Sequence, residues 1–401
     1  MKRQMNKTKN VFALCFLAGA AYLTPAPEAL AQAGRAASQE TADQMELFSS
    51  GEDDYDTYRI PAIVTSTEGT LLAFCEGRKD HGGDAGNIDI ILKRSEDGGA
   101  TWSEQQVIWD DGANTCGNPC PVVDEETGDI FILMTHNLGT DHEADIIKGT
   151  SESTRTVWVA KSSDDGRTWT TPADITATTK KKEWGWYATG PGVGIQIKHG
   201  PRKGRLVIPS DHSYDDPNGN VRGGPYEYGS HAIYSDDHGK TWQLGEAIRP
   251  KVNECQIVEL ADGNGTLLMD MRSYFNRACR THAISYDGGS TWTSPKDAPE
   301  LVEPVCQASI LRYSWPGRKS ESVLLFLNPA STSKRHNMTI RASYDEGKTW
   351  PVIKTLFTGP SAYSSLGKLP DGTILALYEA GKKRPYESII FQKLDPDELL
   401  K

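Results

Sequence analysis

Five copies of one eight-residue pattern, Ser-x-Asp-x-Gly-x-Thr-Trp, punctuate this chain at Ser95–Trp102, Ser162–Trp169, Ser235–Trp242, Ser285–Trp292 and Ser343–Trp350. Recurrence of this kind marks a chain built from repeated units. Each copy carries turn chemistry: the Asp side chain accepts hydrogen bonds from its own turn, and Gly tolerates positive φ. Thr-Trp then re-enters a strand with a β-branched and an aromatic residue. A β-rich run precedes every copy, such as Asp89–Ser95, Thr156–Ser162 and Met338–Ser343. Each copy is therefore predicted to be a hairpin turn closing an antiparallel unit. The five aspartates lie 50 to 73 residues apart, which fits one propeller blade of about 40 to 50 residues plus loops. A calcium loop of the EF-hand type needs more acidic positions and a terminal Glu, so a structural role is expected for these turns.

Length alone, at 401 residues, would suggest two or three domains. The repeats argue instead for a single closed all-β propeller over residues 44–401. The segment before it reads as a targeting sequence. Lys2, Arg3, Lys7 and Lys9 precede an apolar run from Val11 to Leu23, with small-x-small cleavage sites at Ala29–Ala31 and Ala31–Ala33. We expect a signal peptide over 1–31, a flexible leader over 32–43, and export to the periplasm or the medium. The apolar run is too short for a stable membrane span. Removal of residues 1–31 would take the formal charge from −11 to −14, which argues against a nucleic-acid partner. Six cysteines would remain, an even number that permits disulfides without revealing their pairing; Cys116 and Cys120 are near enough in sequence to pair. No Cys or His spacing indicates a metal site.

Three arginines sit oddly. Arg59 lies in Tyr58-Arg59-Ile60-Pro61, Arg272 ends the apolar run Leu267–Arg272, and Arg335 follows the apolar run Leu324–Ala330. Singly, each reads as a surface ion-pair residue. If the three converge, they make a carboxylate clamp.

Tyr58–Pro61 together with the five turns resembles the sialidase (neuraminidase) superfamily, whose bacterial and lysosomal-type members carry such turns as Asp boxes (BNR repeats). Further stretches carry the resemblance: Gly69–Arg78, Gly190–Gln196, Asn253–Gln256, Asn328–Ala330, Gly359–Leu366 and Leu377–Glu379. It covers roughly residues 45 to 397. It implies a six-bladed β-propeller of four-stranded antiparallel blades. It implies that Arg59, Arg272 and Arg335 hold the carboxylate of a sialic acid and that Glu379 orients Arg59. Asp84 would be the acid/base residue, with Asp80 as the alternative. Tyr363 would be the nucleophile and Glu254 its base. Arg78 and Glu76 would line the pocket. The activity implied is exo-α-sialidase on glycoproteins, glycolipids and oligosaccharides, with retention and without a cofactor. Transfer to another sugar or to the substrate's own hydroxyl, and a non-catalytic binding propeller, are the competing readings. A monomer is expected. Trp184-Gly185-Trp186-Tyr187 reads equally as a sugar subsite or as core, and His212–Tyr228 reads as a long loop that shapes specificity.

Overall fold

The computed structural model describes residues 44–318 and 320–400. The expected signal peptide and leader lie outside the described residues. The first eight-stranded sheet is formed by β2 (Thr57–Thr65), β3 (Leu71–Arg78), β4 (Ile88–Ser95), β5 (Gln106–Trp109), β6 (Thr115–Val123), β7 (Ile130–Asn137), β8 (Thr156–Ser162) and β9 (Ala173–Asp174). Its two antiparallel halves, β2 to β5 and β6 to β9, are joined by a single parallel bridge between Ile88 and Thr115. The next sheet contains β10 (Tyr187–Thr189), β11 (Ile195–Gln196), β12 (Leu206–Asp215), β13 (Tyr226–Ser235) and β14 (Gln243–Leu244). A four-stranded meander follows: β15 (Val252–Glu259), β16 (Leu267–Ser273), β17 (Cys279–Ser285) and β18 (Lys296–Val302). The last sheet contains β19 (Ser309–Ser314), β20 (Val323–Pro329), β21 (His336–Ser343), β22 (Val352–Lys368), β23 (Ile374–Ala380) and β24 (Ser388–Leu394). β1 (Gln44–Ser49) completes it, antiparallel to β24. The short helix α1 (Glu143–Lys148) interrupts the β7–β8 connection.

Burial falls from the first strand of each antiparallel set to the last. β2, β6 and β15 are almost wholly buried, whereas β5, β9 and β14 are half-buried or exposed. Buried on both faces, the first strands show no apolar–polar alternation, and their polar members Arg59, Asn118, Asn253 and Glu254 are buried with the rest.

All five boxes form the predicted turns, at β4–β5, β8–β9, β13–β14, β17–β18 and β21–β22. In the first, Ser95 Oγ donates to Asp97 Oδ1 at 2.8 Å. Thr101 donates its amide to the same oxygen at 2.8 Å and its hydroxyl to Oδ2 at 2.6 Å. Those bonds pull the Asp97 carboxyl down to about 2. In three of the boxes the Trp leaves the turn and lands on a different antiparallel set of strands. Trp102 meets Phe391 of β24 at 5.1 Å, Trp169 meets Phe74 of β3 at 5.8 Å, and Trp242 meets Phe131 of β7 at 6.0 Å, all edge to face. Such pairs add about 0.5–1.5 kcal/mol each beyond the area they bury. In these three boxes the Trp thus ties one antiparallel set of strands to another.

Register places the boxes at one end of the sheets and the arginines at the other. Ser95 pairs with Leu71 and Leu71 with Thr65 at the far end of β2, whereas Arg59 pairs with Glu76 near its start.

Three expectations change on inspection. His212–Tyr228 is a loop only over 216–225, because β12 and β13 pair from Leu206↔Ser235 to Asp215↔Tyr226. Its Tyr and His residues sit in a paired strand rather than in a loop. The described cysteines are all free. Cys116 and Cys120 lie either side of a bulge in β6 that adds one residue and turns them into two different core clusters. In Trp184–Tyr187 the two readings divide. Trp184 and Tyr187 are core, and Trp186 lines a cavity.

Candidate active site

Four strands are broken by β-bulges at the arginine-bearing end: β2 between Arg59 and Ala62, β6 between Gly117 and Cys120, β15 between Val252 and Cys255, and β22 between Ser361 and Ser364. A bulge inserts a residue and re-aims the side chains beside it. Here Arg59, Asn118, Asn253, Glu254 and Tyr363 all turn into one cavity of about 290 Å3. At the first bulge Ile60 has φ +61°, a costly conformation for a β-branched residue. The amide of Ile60 donates to Glu379 Oε1 at 2.9 Å, so the strained residue is pinned.

Glu379, fully buried on β23, organises this wall. Its Oε1 also accepts from Arg59 Nε at 2.7 Å, and its Oε2 accepts from the Tyr363 amide at 3.1 Å. One carboxylate thus fixes both the first arginine and the backbone of the tyrosine. Arg272, near the end of β16, donates from Nη1 to Glu254 Oε2 at 2.6 Å and lies 3.3 Å from the Tyr363 hydroxyl. Arg335, just before β21, donates to the Tyr386 hydroxyl at 2.8 Å. Among the described residues no carboxylate lies within ion-pair distance of Arg335. The three arginines therefore converge, as the clamp reading requires.

The Tyr363 hydroxyl donates to Glu254 Oε1. Burial pushes the phenol well above its ordinary value, and the adjacent Glu254 adds to this, while Arg272, Arg335 and Arg59 pull the other way. The guanidinium of Arg335 stands 5.5 Å from the ring centre, and that of Arg59 stands 5.0 Å from it.

Asp84 belongs to the β3–β4 loop and is 62% exposed at its side chain. Arg78, buried at the end of β3, holds the loop. Its Nη1 donates to the carbonyls of Gly82 and Gly83 at 2.7 and 3.0 Å and to Asp84 Oδ1 at 2.9 Å. Glu76 in turn holds Arg78 through Nε and Nη2 at 2.9 and 2.6 Å. Arg59 Nη1 lies 4.0 Å from Asp84. Burial raises the Asp84 carboxyl, but Arg78 and then Arg59 outweigh it and hold it at about 2. Asp80, the alternative, is not among the residues that line the cavity.

The cavity therefore gathers Arg59, Arg78, Asp84, Glu254, Arg272, Arg335 and Tyr363, with Glu379 directly behind Arg59. Several partners were not legible in sequence. The Tyr386 ring lies under Arg59 at 4.1 Å, and Tyr274 lies under Arg272 at 5.1 Å. Arg155, buried, donates to Asn118 Oδ1 at 2.6 Å and covers the Trp186 ring at 4.0 Å. Asp211 is buried. Its Oδ1 accepts from Asn253 at 2.8 Å and its Oδ2 has no partner. The one signal available for Tyr386 and Tyr274 was an aromatic close in sequence to a flagged residue.

A family model for the BNR repeat-like domain matches residues 69–376. A sialidase of Micromonospora viridifaciens is 37% identical over 355 residues, covering 84% of this chain and 52% of that protein. Mouse sialidase-2 is 30% identical, covering 83% of this chain and 91% of that protein. The solved structure of a Hadza microbial sialidase, Hz136, superposes with a TM-score of 0.77 at 30% identity, covering 89% of this chain and 69% of that one. The chain spans about half the length of the Micromonospora relative. No helix among the described residues is long and apolar enough to cross a membrane. With the family model and these relatives all falling on the segment that carries the repeats and the arginines, the chain belongs to the sialidase superfamily and carries BNR repeats.

Proposed function

We propose that the protein is a retaining exo-α-sialidase that releases terminal sialic acids from glycoproteins, glycolipids or oligosaccharides. The observation that carries this reading is the Tyr363 hydroxyl bonded to Glu254 beneath three converging guanidiniums. A binding module would need the guanidiniums but not the phenol–carboxylate pair.

The anomeric carbon of a sialoside bears a carboxylate, which Arg59, Arg272 and Arg335 would hold. A carboxylate nucleophile would approach that carbon against like charge, and a phenol does not. The Tyr363 oxygen bonds the anomeric carbon while Glu254 takes its proton and Asp84 gives a proton to the departing glycosidic oxygen. Asp84 then takes a proton from water, and the water oxygen displaces Tyr363, which recovers its proton from Glu254. No step calls for a cofactor. Asp84 is a carboxylate in the empty pocket. An anion bound at Arg59 offsets one of the two charges that hold its value down, so binding itself prepares the acid. Use of Tyr as nucleophile is a recognised departure from the two-carboxylate scheme in this family.

The sheets support six four-stranded blades. Five are β2–β5, β6–β9, β10 with β12–β14, β15–β18, and β19–β21 with the first half of β22. The sixth takes the second half of β22 with β23, β24 and β1. The sixth has no box because its third and fourth strands, β24 and β1, are not consecutive in the chain. The basic and apolar opening of the sequence supports export.

The test is product analysis on sialyllactose with wild type and Tyr363→Phe. Free sialic acid from wild type, cut by about 100-fold or more in the variant, is the expected result. An anhydro or transferred product would keep the roles and change the outcome of the reaction. No product from folded wild type would leave a binding protein.

A further inference from the structure

We propose that Asp211 and Ser230 are positioning residues for the base Glu254: together they clamp the residue before it, and so hold the bulge that aims Glu254 at Tyr363. This rests on the sialidase reading above.

The need for a clamp arises in β15. Side chains alternate along a regular strand, so Asn253 and Glu254 would face opposite ways. Between the pairs Val252↔Ser273 and Cys255↔Met271 the two stand instead against the single residue Arg272, and both line the cavity. A bulge takes residues out of the ladder. Asn253 and Glu254 have no register partner on β16, so the strand beside them does not fix their conformation.

The support comes from the neighbouring sheet. Asp211 of β12 and Ser230 of β13 are register partners, and directly opposed side chains share a face. Asp211 Oδ1 accepts from Asn253 Nδ2 at 2.8 Å, and Ser230 Oγ donates to the Asn253 carbonyl at 2.5 Å. One cross-strand pair thus grips one residue by both its side chain and its backbone. Cys255, on the other side of Glu254, is held as well. Its amide donates to the Gly190 carbonyl at 3.1 Å and its thiol to the Ser210 carbonyl at 3.4 Å. Glu254 is therefore fixed from both flanks, and its carboxylate meets Arg272 and Tyr363.

Asp211, Ser230 and Asn253 are all buried. A buried polar group without partners costs stability. Asp211 carries that cost, because its Oδ2 has no partner. An apolar side chain would fill the same space without it, so the use of the acid lies in what Oδ1 holds. Burial, and then Glu254, push the Asp211 carboxyl well above the ordinary carboxylate range, against Arg272 and Arg155. An uncharged Asp211 suits the task. It accepts from Asn253 without setting a second negative charge beside the base. Asp211 also lines the cavity, so a direct hold on substrate is the rival role.

The experiment measures kcat and KM on sialyllactose for wild type, Asp211→Ala, Asp211→Asn and Ser230→Ala. Asp211→Ala should lower kcat by about 10- to 100-fold through misplacement of the base, with KM within about threefold because the arginines still hold the carboxylate. Asp211→Asn keeps an uncharged oxygen acceptor for Asn253 and should recover most of that loss. Ser230→Ala removes the second grip and should lower kcat by about three- to tenfold, again with KM little changed; it decides the matter if Asp211→Ala does not fold. Wild-type kcat in the alanine variants would overturn the proposal, since the bulge would then hold itself. So would a rise in KM at unchanged kcat, which marks a direct hold on substrate. An Asp211→Asn enzyme no better than Asp211→Ala would overturn it too, because the charge would then be what matters. Failure of wild type on sialyllactose would instead overturn the sialidase reading, and this proposal with it.

Discussion

At the box turns, Asp97, Asp164, Asp237, Asp287 and Asp345 each bind a threonine four residues on, and the bonds repeat from copy to copy. At the cavity, Arg59 reaches Glu379 across 320 residues and Tyr363 reaches Glu254 across 109. No two of these contacts are alike. The first kind of chemistry is local and self-satisfying, so it can be copied. The second needs the finished sheet, and it sits where the strands bulge and the backbone at Ile60 is strained. Repetition builds the frame, and departures from it build the site.

The sharpest way to break this contrast is Glu379→Ala. It removes the acceptor for Arg59, Ile60 and the Tyr363 amide together. Stripping one partner from a buried ion pair costs about 3–5 kcal/mol, so a clear fall in the denaturant midpoint and loss of turnover are expected. Wild-type stability would mean that the bulge holds itself. Next comes Glu254→Gln, which keeps the side chain's shape but takes the charge from beside Arg272; it should lower kcat by about 10^2- to 10^4-fold, with a smaller loss of stability than Glu379→Ala. A large loss of stability would make the residue part of the frame.

A third test uses pH. His212 and His231 share a contact of 3.0 Å between their Nδ1 atoms, with Trp184 stacked on His212 at 3.6 Å, the Tyr187 hydroxyl 2.7 Å from His231 Nε2, and Arg249 at 3.2 Å from His212. Burial, and then Arg249 and Lys181, push His231 down to about 3 from its ordinary 6.5. The unfolded chain therefore binds the proton first. The stability is present above 6.5 and is lost as pH falls from there toward 3. Melting temperature should fall across that window, less steeply in His231→Gln. A parallel decline in the variant would acquit the histidine. The smallest effect is expected from Asp287→Ala, which removes three bonds at a turn far from the cavity. About 1–2 kcal/mol of stability should go, with kcat unchanged. A drop in kcat would show that the two ends are coupled.

The same contrast explains what could be read in advance. The box turns were legible because the Ser, Asp and Thr bonds that close each one lie within eight residues. Arg59, Arg272, Arg335, Glu254, Tyr363 and Glu379 were legible through motifs that the family resemblance supplied. Trp186 was not separable from Trp184, because which of two aromatics faces a cavity is decided by the strand that pairs beside them. Asp211 gave no signal at all. It sits in the polar half of β12, Ser210–Ser213, among residues with no motif, and the approach of Asn253 from β15 is what makes it part of the site. The extent of His212–Tyr228 as strand was hidden by Gly, Pro and Asp residues that cluster at the turn.

The pairing of β1 with β24 also sets a clock. Gln44 and Gln392 are 348 residues apart, so at about 5 to 20 residues per second the earlier strand waits roughly 20 to 70 seconds for its partner to be synthesised. Until then the edges that the two strands share are open. The last sheet, which carries Tyr363 and Glu379, is the one that cannot be finished early.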